Sequence, residues 1–169
     1  MYKLCIVSLF LQRMRILIVC LGNICRSPIA EGILRHKVKQ HGLNWTVASA
    51  GTEYYHVGEP PHPYSQKICK EHGIDISHLR ASKFTVDDFA NYDIIYAMAY
   101  DVYKEILRIG GNKTIKHKVR YFLNELYEDC DGSVPDPFNG PEKEYVMVYK
   151  VINNTCDALI ENHKKAIYV

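Results

Sequence analysis

Short apolar runs alternate with helical patterns along most of this chain. Residues 16–20 read Ile-Leu-Ile-Val-Cys, a continuous apolar run typical of a strand buried on both faces of a parallel sheet. Further strands are predicted at 45–49 and 92–98, with a weaker one at 118–123. Together with the helices between them, these runs predict an α/β fold: a single-domain, three-layer architecture in which helices flank a central four-stranded parallel sheet.

Helix boundaries are indicated by capping and breaking residues. The first helix is predicted directly after the first strand and its loop, with Ser27 as N-cap and Pro28 at the first helical position. Later helices are expected at 64–72 and 101–109, before glycines that stop them. A last helix follows from apolar residues spaced by three and four between positions 145 and 160. Ala50-Gly51 is expected to form a turn.

Composition restricts the classes of function. The 169-residue chain has 47% hydrophobic residues and a formal net charge of only +2, which does not fit a protein that grips a nucleic-acid backbone. Six irregularly spaced cysteines favour free thiols in a reducing, cytoplasmic location over a disulfide framework. No apolar stretch reaches the roughly 18 residues that span a bilayer.

Residues 1–13 stand apart from the rest of the pattern. They contain a lysine and an apolar run about as long as the core of a signal peptide, but no small-residue cleavage site follows. The alternatives are a surface extension or an upstream start codon, with Met14 as the initiator. We therefore treat 1–13 as a dispensable N-terminal extension and 14–169 as the functional domain.

The loop after the first strand has the pattern C-x5-R, from Cys20 to Arg26. Such a loop can curl its backbone N–H groups around a tetrahedral oxyanion, with Gly22 free to adopt a positive φ and the following helix adding a positive dipole end. Arg26 supplies a planar fork for two phosphate oxygens. The same positive field favours the thiolate of Cys20, the form that acts as nucleophile.

Other interpretations of the two loop cysteines are weaker. They could be small buried residues that only fill space. A zinc site lacks a second cysteine or histidine pair at ligand spacing, and a nucleotide-binding loop of the Gly-x4-Gly-Lys-Ser/Thr kind is absent. A phosphoryl-transferring cysteine also needs an acid for the leaving group. Asp136, stiffened by Pro135 and Pro137, can supply that acid, although a plain turn is the ordinary role of such a residue.

C-x5-R followed by a distant Asp-Pro segment resembles the low-molecular-weight protein tyrosine phosphatase family, over nearly all of 14–160. The resemblance implies Cys20 as nucleophile, Arg26 as phosphate-binding residue and Asp136 as general acid and then base, acting on phosphotyrosine and aryl phosphate monoesters through a phosphocysteine. It implies no metal and no cofactor. It also implies phosphotyrosine proteins as partners, with inorganic phosphate or other oxyanions as product or inhibitors.

The resemblance extends to supporting residues. The phosphate-binding loop comprises Leu21, Gly22, Asn23, Ile24, Cys25 and Ser27 besides the nucleophile and the arginine. Supporting hydrogen bonds are expected from Asn23, Ser27, Ser49 and His78. The walls of the substrate slot are expected at Tyr55, Phe138 and Asn139. Phe138-Asn139 stand where members of the family often have two tyrosines, so regulation through tyrosines at these positions is in doubt.

Cys25 invites a separate hypothesis, because it shares a loop with a reactive thiol. It can capture oxidised Cys20 as a reversible disulfide, although simple packing also explains it. Two rival functions remain. An arsenate reductase of similar fold needs further cysteines in a mobile segment, and 74–93 contains none. A catalytically inactive module would bind phosphotyrosine without turning it over, yet nucleophile, arginine and acid are all present.

Overall fold

The fold is built on four parallel strands. A computed structural model describes residues 13–111 and 113–165, so the expectations for residues 1–12 lie outside the described residues. The strands are β1 (Met14–Cys20), β2 (Trp45–Gly51), β3 (Ile94–Ala97) and β4 (Val119–Tyr121). Their order in the sheet is β2-β1-β3-β4, and each neighbouring pair is parallel. This confirms the predicted four-stranded parallel sheet.

Helices cover both faces of this sheet. The α-helices are α1 (Arg26–Gln40), α2 (Pro63–Glu71), α3 (Asp88–Asn91), α4 (Tyr100–Gly110) and α5 (Glu142–Lys165), and 3₁₀ helices run over Lys113–Lys118 and Phe122–Glu125. Helices α1, α2 and α5 pack against one another on one face, and α4 packs against β3 and β4 on the other. The chain is therefore a three-layer α/β domain, as its sequence pattern predicts.

Strand β1 is central because its side chains are buried in both directions. Ile16 and Ile18 join the core cluster beneath α1, α2 and α5, whereas Leu17 and Val19 join the cluster beneath α4. Each fully buried side chain of this size stabilises the fold by about 1.5–3 kcal/mol relative to its exposed state. Burial on both faces thus explains why this strand is continuously apolar rather than alternating.

Several predicted boundaries need correction. The expected turn at Ala50-Gly51 is wrong: Gly51 is the last residue of β2 and lies opposite Cys20 in the parallel register. A Cβ on Gly51 would lie 2.7 Å from the carbonyl oxygen of Leu21, so a side chain there would collide with the loop that crosses over β2. Strand β4 ends at Tyr121, two residues early, because Phe122 starts a 3₁₀ helix.

Two short elements have no counterpart in the sequence prediction, namely α3 and the 3₁₀ helix at Lys113–Lys118. Both lack a helical apolar repeat, because they are too short to bury more than one or two residues. Within the described ranges, no helix combines the length and apolar character needed to cross a bilayer.

Candidate active site

A cleft of about 550 Å³ opens at the carboxyl end of β1. Its floor is the loop between β1 and α1, where Cys20 is buried and Leu21 stands on the exposed rim. Its sides carry groups from distant segments: Tyr55 and His56 after β2, and Asp136, Phe138, Asn139 and Glu144 before and within α5. Cleft and loop therefore lie where ligands bind in open α/β folds.

The loop turns at Asn23, which adopts a left-handed conformation with φ of 56°. Its backbone N–H donates to Cys20 Sγ at 3.2 Å, so the curled loop directs one amide at the sulfur. The expectation of a positive φ at Gly22 is wrong, since this role falls to Asn23. Asparagine tolerates the left-handed region better than most residues, and here its side chain is also held on three sides.

Helix α1 begins at Arg26, one residue before the predicted cap. Cys25 occupies the N-cap position and makes no side-chain capping bond. The prediction of Ser27 as N-cap is therefore wrong. The Ser27 hydroxyl instead lies 3.0 Å from Cys20 Sγ and 3.5 Å from the carbonyl oxygen of Ala50. Ser27 is fully buried, and the sulfur is the nearer of these two acceptors for its proton.

An amide brace joins the loop to β2. Asn23 Nδ2 donates to Ser27 Oγ and to Ser49 Oγ, each at 2.8 Å, and Asn23 Oδ1 accepts the backbone N–H of Ser82 at 2.9 Å. The predicted association of Asn23, Ser27 and Ser49 is thus present in the structure. The supporting hydrogen bond expected from His78 is not seen: its side chain is exposed and makes no hydrogen bond with another described residue, and Asn23 Oδ1 accepts from the backbone of Ser82.

Glu31 is a member of this brace that the sequence interpretation missed. Its side chain is almost fully buried in α1, where Ser49 Oγ donates to Oε2 at 2.5 Å and Arg35 pairs with Oε1 at 2.7 Å. Burial raises the pKa of the Glu31 carboxyl, while the bond from Ser49 and the charge of Arg35 act in the opposite direction. The available signal was its spacing: Glu31 follows Ser27 by four residues, which places both on one helix face.

Arg26 and Asp136 meet across the cleft. Arg26 Nη2 donates to Asp136 Oδ2 at 2.6 Å, and Nη1 donates to the carbonyl oxygen of Val134 at 3.2 Å. Asp136 accepts the backbone N–H of Phe138 at its other oxygen, 3.1 Å away. The segment before it is tied to the end of β3, because Val134 N–H donates to Met98 O at 2.8 Å. The fold therefore places the Asp136 carboxylate beside Arg26, although the two residues are 110 positions apart in the sequence.

Cys25 points away from the amide brace, toward α5. Its Sγ lies 3.4 Å from the hydroxyl oxygen of Tyr145, and His62 stacks on the Tyr145 ring with centroids 5.1 Å apart. Burial raises the pKa of the Cys25 thiol to about 11, although the Tyr145 hydrogen bond acts to lower it. Burial also lowers the pKa of His62. Cys25 is consequently a neutral thiol at ordinary pH.

The predicted slot walls lie at the cleft mouth. Tyr55 is 66% exposed and Phe138 is 44% exposed, so both rings present free faces, and Asn139 lines the same rim. His56, the residue after Tyr55, also lines the cleft; its ring centroid lies 5.8 Å from that of Phe138, and its Nδ1 is hydrogen-bonded to Glu59 at 2.8 Å. Two exposed aromatic rings beside a buried cationic floor suit a flat, apolar group that carries an anionic end.

Comparison with known proteins agrees with this geometry. The family model for low molecular weight phosphotyrosine protein phosphatases matches residues 15–168. The human low molecular weight phosphotyrosine protein phosphatase is 37% identical over 149 residues, covering 86% of this chain and 93% of the human protein. A low molecular weight protein-tyrosine-phosphatase of Staphylococcus saprophyticus is 38% identical over 143 residues, covering 84% and 88%.

Solved structures give the same result. The crystal structure of a protein tyrosine phosphatase from Entamoeba histolytica, with Hepes in its active site, superposes with a TM-score of 0.84 at 32% identity, covering 90% of this chain and 98% of that one. A low molecular weight protein tyrosine phosphatase from T. tengcongensis gives 0.80 at 33% identity, covering 88% and 99%. The chain belongs to the low molecular weight phosphotyrosine protein phosphatase family.

Proposed function

We propose that this protein hydrolyses phosphotyrosine in proteins, and aryl phosphate monoesters in general, with Cys20 as nucleophile. The observation that carries the proposal is the convergence of Cys20, Arg26 and Asp136 on one cleft beneath exposed aromatic rings. In the first step the Cys20 sulfur forms a bond to phosphorus while the bond from phosphorus to the phenolic oxygen breaks. Asp136 gives its proton to that oxygen.

The second step releases the phosphate. Water attacks the phosphocysteine, Asp136 takes its proton, and the sulfur–phosphorus bond breaks to return the thiolate and inorganic phosphate. Arg26 and the loop amides hold the equatorial oxygens, where charge is spread during the transfer. Because Asp136 pairs with Arg26, an entering phosphate must take over the guanidinium and thereby free the carboxyl group for proton transfer.

Hydrolysis of an aryl phosphate without added metal tests this proposal. Cys20→Ser should reduce turnover to the background rate, whereas Cys130→Ser, at an exposed thiol outside the cleft, should leave it unchanged. Retained turnover in Cys20→Ser would refute the nucleophile assignment. Binding of phosphate without turnover by the unmodified protein would instead support an inactive binding module.

We infer further that Cys25 protects the nucleophile in a reducing, cytoplasmic setting. Five described cysteines are free thiols, which supports such a location. Peroxide would oxidise the Cys20 thiolate to a sulfenic acid and release hydroxide. The Cys25 thiol would then condense with it to a disulfide and release water. Mass spectra of peroxide-treated protein should show the Cys20–Cys25 bond, reversed by thioredoxin-like reductants, and overoxidised Cys20 alone would contradict this role.

The same proposal gives the chain its domain organisation. Residues 14–169 form the phosphatase domain, and residues 1–13 are dispensable for hydrolysis. The family model supports this division, since its match begins at residue 15. Removing 1–13 should leave kcat and KM for an aryl phosphate unchanged, and loss of activity or of folded protein would contradict it.

A further inference from the structure

A continuous chain of hydrogen bonds joins a buried carboxylate to the sulfur of Cys20. Glu31 Oε2 accepts from Ser49 Oγ at 2.5 Å, and Ser49 Oγ accepts from Asn23 Nδ2 at 2.8 Å. The second Asn23 Nδ2 hydrogen goes to Ser27 Oγ at 2.8 Å, and Ser27 Oγ lies 3.0 Å from Cys20 Sγ. Glu31 is 4% exposed and contacts neither the cleft nor the loop amides. The mechanism above gives it no task.

The direction of every bond in this chain is determined by its two ends and by Ser82. The Ser82 N–H donates to Asn23 Oδ1, so the Asn23 amide group has one orientation and directs both of its hydrogens at serine hydroxyls. Each serine thus receives one hydrogen and must place its own proton elsewhere. An ionised carboxylate only accepts, so Ser49 donates to Glu31.

The remaining proton decides the effect on the nucleophile. Ser27 accepts from Asn23 and has two acceptors for its own proton, Cys20 Sγ at 3.0 Å and Ala50 O at 3.5 Å. A hydroxyl bond of 3.5 Å to an oxygen is longer than effective bonds of this kind, and a Cys20 thiolate can only accept, so with the thiolate present the Ser27 proton goes to sulfur. A hydroxyl that donates to sulfur stabilises the thiolate and competes with the thiol proton.

We propose that Glu31 is a positioning residue for the nucleophile: by accepting from Ser49 it holds that hydroxyl where it receives an Asn23 hydrogen, and so keeps the Asn23 amide in the place from which Ser27 donates to the Cys20 thiolate. The inference rests on the proposed role of Cys20. Without the Glu31 acceptor, the Ser49 hydroxyl is no longer held, and the Asn23 amide keeps its bond from Ser82 but loses its fixed contact with Ser49. Ser27 then no longer holds its proton toward the sulfur.

A simple charge effect would have the opposite sign. Glu31 is negative, so its charge alone disfavours a nearby thiolate, and removing it would promote ionisation of Cys20. The other titratable and charged groups that act on Glu31 are Arg35 on its own helix, His78 after α2, and Tyr92 before β3. None of these belongs to the chain of bonds. Glu31→Leu removes the ion-pair partner of Arg35, whose Nε still donates to Val47 O at 2.8 Å, and the remaining positive charge would favour the thiolate.

The experiment measures how the rate of Cys20 alkylation by iodoacetamide depends on pH. Glu31→Leu should raise the pH midpoint of labelling by about one unit, which is about tenfold slower labelling below both midpoints. Ser49→Ala, which changes no charge, should raise it in the same direction, and the double variant should raise it no further than the larger single change. Glu31→Gln retains an acceptor oxygen and should return the midpoint toward that of the parent protein.

Glu144→Gln is the matched control, because it removes a carboxylate that lines the cleft and has no link to the chain of bonds. It should lower the midpoint or leave it unchanged. The inference is overturned if folded Glu31→Leu and Ser49→Ala, checked by circular dichroism, leave the midpoint unchanged or lower it. Failure of the parent protein to label at Cys20 would refute the nucleophile assignment itself, so the two failures are distinguishable.

Discussion

Replacing Asp136 with alanine should slow catalysis and strengthen phosphate binding at the same time. The Asp136 carboxylate lies 2.6 Å from Arg26 Nη2, so a phosphate ion must compete with it for the guanidinium. The Arg26 side chain is 6% exposed, but that of Asp136 is 42% exposed, so solvent screens the pair. Such a pair contributes about 1 kcal/mol, which corresponds to about fivefold in affinity.

We therefore expect the inhibition constant of inorganic phosphate to fall about fivefold in Asp136→Ala. Turnover of phenolic phosphates should fall by about 10²-fold or more, and less for esters with acidic leaving groups, because the general acid is lost. Phosphate inhibition is best measured with an ester of the latter kind, whose residual turnover remains measurable. Glu144→Gln is the control, since it removes one charge from the same cleft but leaves Arg26 paired.

Three results would refute this reasoning. Phosphate that binds Asp136→Ala no more tightly than the parent protein would show that the Arg26–Asp136 pair does not compete with ligand. Equal tightening in Glu144→Gln would show that the effect comes from net charge in the cleft and not from the freed guanidinium. Equal losses of turnover for good and poor leaving groups would remove Asp136 from the role of acid.

Two further predictions follow from burial. At neutral pH iodoacetamide should label Cys20 and the exposed Cys130. Burial raises the pKa of Cys25 to about 11 and that of Cys69 to about 12, so both should react at least about a hundredfold more slowly than a free cysteine and gain reactivity only as the pH rises toward those values. Peptide mass spectrometry measures the labelling of each cysteine, and fast labelling of Cys25 at neutral pH would contradict the prediction. Gly32→Ala should lower the free energy of unfolding by about 1–3 kcal/mol, because its Cβ would lie 2.5 Å from Ile76 Cγ2, where α1 packs on the segment after α2. Urea unfolding measures this change, and an unchanged midpoint would show that the Ile76 side chain moves aside without cost.

Much of the fold is predictable because the strands and longer helices follow from the spacing of apolar residues that are close together in the sequence. The apolar run before Cys20 gives the position of β1, and the three- and four-residue spacing from Tyr145 onward gives most of α5. Boundaries were less predictable. From its neighbours in the sequence Gly51 looks like a turn residue, yet β2 extends through Gly51 because this residue pairs with Cys20 of β1. The pairing of Gly51 with Cys20 forms only in the assembled sheet, so the residues next to Gly51 in the sequence do not indicate it.

The site follows the same division. The spacing from Cys20 to Arg26 and the two prolines around Asp136 single out the candidate reactive groups, because a single loop and a stiffened segment carry them. Ser27 looks like a helix cap, but the sulfur beside it is the stronger partner in the folded chain. His78 was expected to support the loop, but the described contact to Asn23 Oδ1 comes from the backbone N–H of Ser82, and a backbone donor cannot be recognised from the residue type.

The sequence by itself determined the order of the four strands and the longer helices along the chain, and it singled out Cys20, Arg26 and Asp136 as candidate nucleophile, phosphate-binding residue and acid, because each belongs to a pattern of residues close together in the chain. Only the tertiary structure decided how these groups are connected. The Arg26–Asp136 pair spans 110 residues, and the Ser49–Glu31 bond joins a strand to a helix 18 residues away. Hydrogen-bond direction depends on every partner in three dimensions at once, so the link from Glu31 to the Cys20 sulfur exists only in the folded protein.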